Sequence, residues 1–126
     1  MIKLIVSDID GTLVPEGNTD LNPEYLEVIK KLTEKGIVFA AASGRHASSI
    51  HAVFQPVSER IYYVSDNGAC IEKNGKEERA LYLPAKELRE LLYEARKMEG
   101  GYVMFSAVDG FYTDAKDETF SEGVLG

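Results

Sequence analysis

The sequence predicts an α/β protein: a doubly wound parallel sheet followed by the start of a smaller α+β unit. Three observations predict it. Apolar runs at residues 4–6, 37–42 and 61–64 each stop at a polar cluster. Between them lie segments whose apolar residues repeat at helical spacing, the alternation that a parallel sheet requires. After about residue 80 a strong helical pattern is followed by two short strand patterns and no further crossover. The expected division is residues 1–80 for the sheet portion and 81–126 for the second unit.

Each element has a local reason. Leu4, Ile5 and Val6 suit a buried strand, and the run stops at Asp8 and Asp10, with Gly11 and Thr12 directly after. Pro15 and Gly17 make residues 14–19 turn-rich. Asn22, Pro23 and Glu24 supply an N-cap, a proline at the first helical position and an early acid. Leu26, Ile29 and Leu32 then follow at helical spacing until Gly36. That helix feeds a strand over 37–42, so strand, helix and strand form one right-handed crossover. A shorter helix is expected over 47–54, ended by Pro56, before a strand over 61–64. Residues 70–73 and 80–83 flank a turn at Asn74 and Gly75, which reads as a hairpin. A helix over 85–98 follows, with Leu88, Leu91, Leu92, Ala95 and Met98 on one stripe and Gly100-Gly101 as its stop. Strands over 102–105 and 110–113 complete the pattern, with a turn at Asp109-Gly110.

The pair of acids is the chemical signal. Carrying Asp8 and Asp10 to the rim of a buried strand costs desolvation free energy unless a cation or hydrogen-bond donors compensate. A spacing of one intervening residue on an extended chain sends both carboxylates to the same side. Gly11 permits the backbone geometry by which main-chain N–H groups approach an anion. The same few atoms can therefore hold a divalent cation and a phosphate together, the alternative being a strand that ends in an acidic turn.

Asp8-Ile9-Asp10-Gly11-Thr12-Leu13, placed after an apolar strand, resembles motif I of the haloacid dehalogenase superfamily, the aspartate-nucleophile phosphatases. Ser43-Gly44-Arg45, at the end of the second run, resembles motif II, whose hydroxyl holds the transferring phosphoryl group. Asn67-Gly68-Ala69 resembles the strand-end Asn-Gly-Ala of the Cof-type branch, and on its residues alone is equally a hairpin turn. The resemblance implies a Rossmann-like core and makes residues 81–126 the beginning of the cap inserted after the third strand. It implies a magnesium-dependent phosphatase in which Asp8 is the nucleophile that forms an aspartyl-phosphate and Asp10 is the acid and then the base. Mg2+ would take one Asp8 oxygen and the Asp10 main-chain carbonyl. Ser43, with amides near Gly11, Thr12 and Gly44, would hold the phosphoryl oxygens. Arg45 either orients substrate or braces the helix start, and Asn67 is a candidate substrate contact. The expected substrate is a small phosphorylated metabolite such as a sugar phosphate. A phosphomutase would use the same motifs, and a noncatalytic truncated relic binding phosphate or a partner chain is the competing class.

Composition agrees with such a domain. The 126 residues are 44% hydrophobic and 28% charged, which suits one globular unit or one and a piece of another. The net charge of −7 disfavours nucleic acid and anionic membranes as partners, and no stretch approaches transmembrane length. A single Cys70 and no leader pattern before Ile2 make the cytoplasm the expected location, with Cys70 a small buried residue. His46 and His51 stand five apart, too poorly aligned for a shared metal, and are expected at the surface or satisfied. The superfamily pattern continues with a lysine and an acidic Gly-Asp-type motif that do not follow here. Residues 114–118, Asp-Ala-Lys-Asp-Glu, are expected to be a solvated loop and no substitute for them. The expectation is the N-terminal part of a longer enzyme, or a truncation inactive alone. Its under-covered 88–98 stripe would make it marginally stable, aggregation-prone or homo-oligomeric.

Overall fold

Parallel pairing of three short strands sets the architecture. The computed structural model describes residues 1–113. Strand β1 (Leu4–Asp8) pairs in parallel with β2 (Val38–Ala42), and β2 with β3 (Tyr62–Ser65). Two antiparallel strands, β4 (Cys70–Lys73) and β5 (Lys76–Ala80), extend the sheet, giving the order β1-β2-β3-β4-β5. The sheet is therefore mixed. Helices α1 (Pro23–Glu34) and α2 (Ala47–Val53) form the two parallel crossovers. The chain divides into two compact units, Met1–Leu81 and Tyr82–Gly126.

The N-terminus of α1 forms as its residues dictate. The Asn22 side chain accepts a hydrogen bond from the Glu24 N–H at 3.0 Å, and Pro23 occupies the first turn, where its missing N–H costs nothing. At the other end the Ile37 N–H returns to the Leu32 carbonyl at 3.0 Å and turns the chain into β2. Ile29 of α1 joins Phe39 and Ala41 of β2, Ile50 of α2, Phe54, Ile61 and Tyr63 in one core, with Ile9, Val14 and Leu21 closing it near the strand ends. The rings of Phe39 and Phe54 lie 6.5 Å apart, a tilted contact typical of packed aromatics.

Several boundaries differ from the sequence reading. A 3-10 segment, Gln55–Arg60, follows α2 where a plain connection was expected; Pro56 lacks the N–H that would continue an α-helix, but the tighter turn tolerates it. The second hairpin strand lies at Lys76–Ala80 and not at 80–83, because Asn74 and Gly75, both at positive φ, make a tight two-residue turn. Burial of the first strand is one-sided: Leu4 and Val6 are each 55% exposed, and β1 is an edge of the sheet among the described residues. Cys70 is half-buried, and burial pushes its thiol above the usual range.

In the second unit, α3 (Ala85–Ala95) ends three residues before the expected Met98, and a hairpin of β6 (Met104–Ala107) and β7 (Gly110–Thr113) follows. The apolar stripe is only partly covered: Leu88, Leu92 and Ala95 are half-buried, while Leu91 and Met98 are exposed. Phe105 and Tyr112 stack across the hairpin at 5.5 Å. The expected loop at 114–118 lies outside the described residues. No helix among the described residues is long and apolar enough to cross a membrane.

Tyr63 links the core to the sheet's antiparallel half. Its hydroxyl donates to the Ser58 carbonyl at 2.9 Å, and its ring lies 4.2 Å from that of His51, which bonds through Nε2 to Glu72 Oε1. Burial, and next the Glu72 charge, push its phenol well above the ordinary value. An acid whose ionisation is raised by folding contributes stability that is complete below its ordinary pKa, about 10 for tyrosine, and lost as pH climbs beyond it. The urea midpoint should therefore fall as pH rises above about 10, and Tyr63→Phe should flatten that fall. An equally steep fall in the variant would remove Tyr63 as its source.

Candidate active site

The register places Asp8 beside Ala42 and Ala42 beside Val64, so the carboxyl ends of the three parallel strands meet at one rim. Past Asp8 the chain folds back on a single acceptor. The carbonyl of Ile9, a fully buried residue, accepts from the N–H groups of Thr12, Leu13 and Val14 at 3.2, 2.9 and 2.9 Å. Gly11, at φ +78°, makes the reversal and donates its own N–H to the Val14 carbonyl at 2.8 Å. The reversal brings the Thr12 hydroxyl to Asp8, where it donates to Oδ2 at 3.3 Å. Both carboxylates stay exposed. The amides of Gly11 and Thr12, expected as phosphate donors, are thus engaged by the loop itself. Among the described residues the N–H groups of Asp10 and Gly44 have no hydrogen-bond partner.

Asp10 is joined to the end of β2. Buried Ser43 donates through Oγ to Asp10 Oδ2 at 3.3 Å and accepts from the Arg45 N–H at 3.1 Å. The Arg45 guanidinium then grips Asp10 with two bonds, Nη2 to Oδ1 at 2.6 Å and Nε to Oδ2 at 3.1 Å. Charge-assisted forks of this kind fix orientation, while a pair this exposed contributes only about 1 kcal/mol or less to stability. The sequence left Arg45 between orienting substrate and bracing a helix; in this structure it holds Asp10. At a separation of 35 positions no local pattern reveals the pair.

The hairpin-turn reading of Asn67 holds. It lies in the loop of the β3–β4 hairpin, and that loop also meets the Ser43 segment. The Asp66 N–H donates to the Arg45 carbonyl at 3.0 Å, the Asn67 N–H to the Ser43 carbonyl at 3.2 Å, and the Ser43 N–H to the Val64 carbonyl at 2.9 Å. The histidines are satisfied, as expected: His46 caps α2 by accepting from the Ser48 N–H at 3.3 Å, and His51 pairs with Glu72.

The donors suit a hard, oxygen-preferring cation. Asp8 Oδ1 and the Asp10 main-chain carbonyl take no hydrogen bond among the described residues, whereas both Asp10 carboxylate oxygens are engaged. The described residues contain no cluster of three or more acidic, histidine or cysteine side chains that could ligate a metal.

A family model described as haloacid dehalogenase-like hydrolase matches residues 5–123. The chain belongs to the haloacid dehalogenase-like hydrolases. An HMP-PP phosphatase of Serratia proteamaculans is 31% identical over 94 residues, 74% of this chain and 34% of that protein. The 5-amino-6-(5-phospho-D-ribitylamino)uracil phosphatase of Escherichia coli is 29% identical over 76 residues, 60% of this chain and 28% of that protein. A crystal structure from Eubacterium rectale superposes with a TM-score of 0.83 at 30% identity, covering 95% of this chain and 46% of that one. A phosphatase of the same superfamily from Bacteroides thetaiotaomicron gives 0.72 at 26% identity, covering 99% and 47%. The chain spans about a third of the length of these curated relatives and about half of these solved structures. The Rossmann-like fold expected from the sequence is shared with these hydrolases.

The loop of this haloacid dehalogenase-like chain depends on a glycine at position 11. Gly11→Ala should lower the unfolding free energy by about 1–2 kcal/mol, and Gly11→Asn by less, because asparagine tolerates positive φ. Urea titration of both variants checks the order, and a neutral alanine would contradict the assigned backbone.

Proposed function

We propose that this chain is the nucleophile-bearing part of a magnesium-dependent phosphomonoester hydrolase acting on small cytoplasmic phosphometabolites, sugar phosphates or similar compounds. The observation that carries the reading is the bonded set Ser43–Asp10–Arg45 beside Asp8 at the ends of β1 and β2. Relatives named as phosphatases of HMP-PP and of a phosphoribitylamino-uracil support a small phosphorylated substrate.

Asp8 attacks phosphorus in line through its carboxylate oxygen. The bond from phosphorus to the ester oxygen breaks as the aspartyl-phosphate forms, and the leaving alcohol takes a proton from Asp10. Asp10 then accepts a proton from water as the water oxygen attacks phosphorus, releasing inorganic phosphate and restoring Asp8. In the observed arrangement both Asp10 oxygens are acceptors, so Arg45 must release one before Asp10 can carry a proton to the leaving group. Arg45 is thus a positioning residue that holds the acid–base group between steps. The Ser43 hydroxyl and the Asp10 and Gly44 amides supply donors for the phosphoryl oxygens, where charge is stabilised during transfer. Magnesium held by an Asp8 carboxylate oxygen and the Asp10 carbonyl would offset the repulsion between carboxylate and phosphate dianion. Thr12 keeps the Asp8 carboxylate oriented through Oδ2.

In the native polypeptide carrying this sequence, Asp8→Asn should abolish hydrolysis of p-nitrophenyl phosphate. Arg45→Lys keeps the charge but loses the fork, and should lower kcat about tenfold with little change in KM. Undiminished turnover by Asp8→Asn would sink the assignment. Phosphoryl return to a sugar bisphosphate primer in place of free phosphate would make the enzyme a mutase.

A further inference from the structure

Asp66, Asn67 and Gly68 all stand at positive φ, 51°, 55° and 94°. Two consecutive non-glycine residues in the left-handed region are uncommon, and although Asp and Asn enter it most readily, main-chain bonds to neighbouring segments hold such a pair in place. Here the main-chain bonds of Asp66 to Arg45 and of Asn67 to Ser43 do so. The consequence is a side-chain placement. A Cβ built on Gly44 would lie 3.0 Å from Asn67 Oδ1, 3.2 Å from Nδ2 and 3.4 Å from Cγ, so the carboxamide covers the place a side chain at 44 would occupy. Gly44 is not at positive φ. Any cost of a side chain at 44 therefore comes from Asn67 and not from the Gly44 backbone.

From this placement we infer that Asn67 is a positioning residue, whose carboxamide occupies the space beside Gly44 and sets the Ser43–Gly44 segment so that the Ser43 hydroxyl and the free Gly44 N–H meet one phosphoryl oxygen. The inference rests on the phosphatase reading above and adds the source of that peptide's geometry. Asn67 is exposed, so its place over Gly44 is not dictated by burial. The main-chain bonds of the loop supply the constraint that a core would otherwise provide.

The test is binding of inorganic phosphate, in the presence of magnesium, to the native polypeptide, read from the Gly44 amide signal and from calorimetry. Asn67→Gly accepts the left-handed backbone without strain and should fold at least as well, yet bind phosphate about tenfold more weakly. Gly44→Ala should also weaken binding, through the clash with Asn67. The double variant Gly44→Ala with Asn67→Gly should recover to the level of Asn67→Gly alone, a rescue that loss of folding would not produce. Unchanged binding in Asn67→Gly, or a Gly44→Ala defect that persists in the double variant, overturns the inference while leaving the phosphatase reading standing. Failure of the wild-type protein to bind phosphate overturns that reading, and this inference with it.

Discussion

Everything at the rim depends on the parallel register of β1, β2 and β3. Because Asp8, Ala42 and Val64 share one row, the three loops that follow must leave the sheet side by side. A slip of one residue in either pairing would turn every side chain of a strand to the opposite face and would part Asp10 from Ser43. The helices between the strands, with Ile29 and Ile50 in the core, hold that register from one face. The other face of β1 carries exposed Leu4 and Val6, so the row is fixed by one-sided packing and by the ladder itself.

Around this row the three loops bond to one another instead of to solvent. Ser43 reaches Asp10, Arg45 reaches Asp10, and Asp66 and Asn67 reach the carbonyls of Arg45 and Ser43. Each bond is modest alone, and none amounts to a large stabilising term at this exposure. Their joint effect is preorganisation: carboxylate and hydroxyl groups stay oriented before a ligand arrives.

The fold was legible because its signals are local. Asn22-Pro23 marked the start of α1, and the strand runs ending in Asp8, Ser43 and Asn67 marked the loops that the register brings together. What the sequence could not show were relations across long separations. The grip of Arg45 on Asp10 and the engagement of the Gly11 and Thr12 amides within their own loop depend on the folded path of the chain. One-sided exposure of β1 was equally hidden, since an apolar run looks the same whether one face or two are covered. The displaced β5 has a simpler cause, a turn made by Asn74 and Gly75 alone where the expected strands left a longer loop.

The central claim is that Asp8 is the phosphoryl acceptor of this rim. The most direct measurement is to quench the native polypeptide during turnover of p-nitrophenyl phosphate, reduce it with tritiated borohydride and locate the label by peptide mapping. An acyl phosphate at Asp8 is reduced to homoserine at position 8, and label there alone is the predicted result. Label at Asp10, or steady turnover with no labelled carboxyl group, would contradict the account.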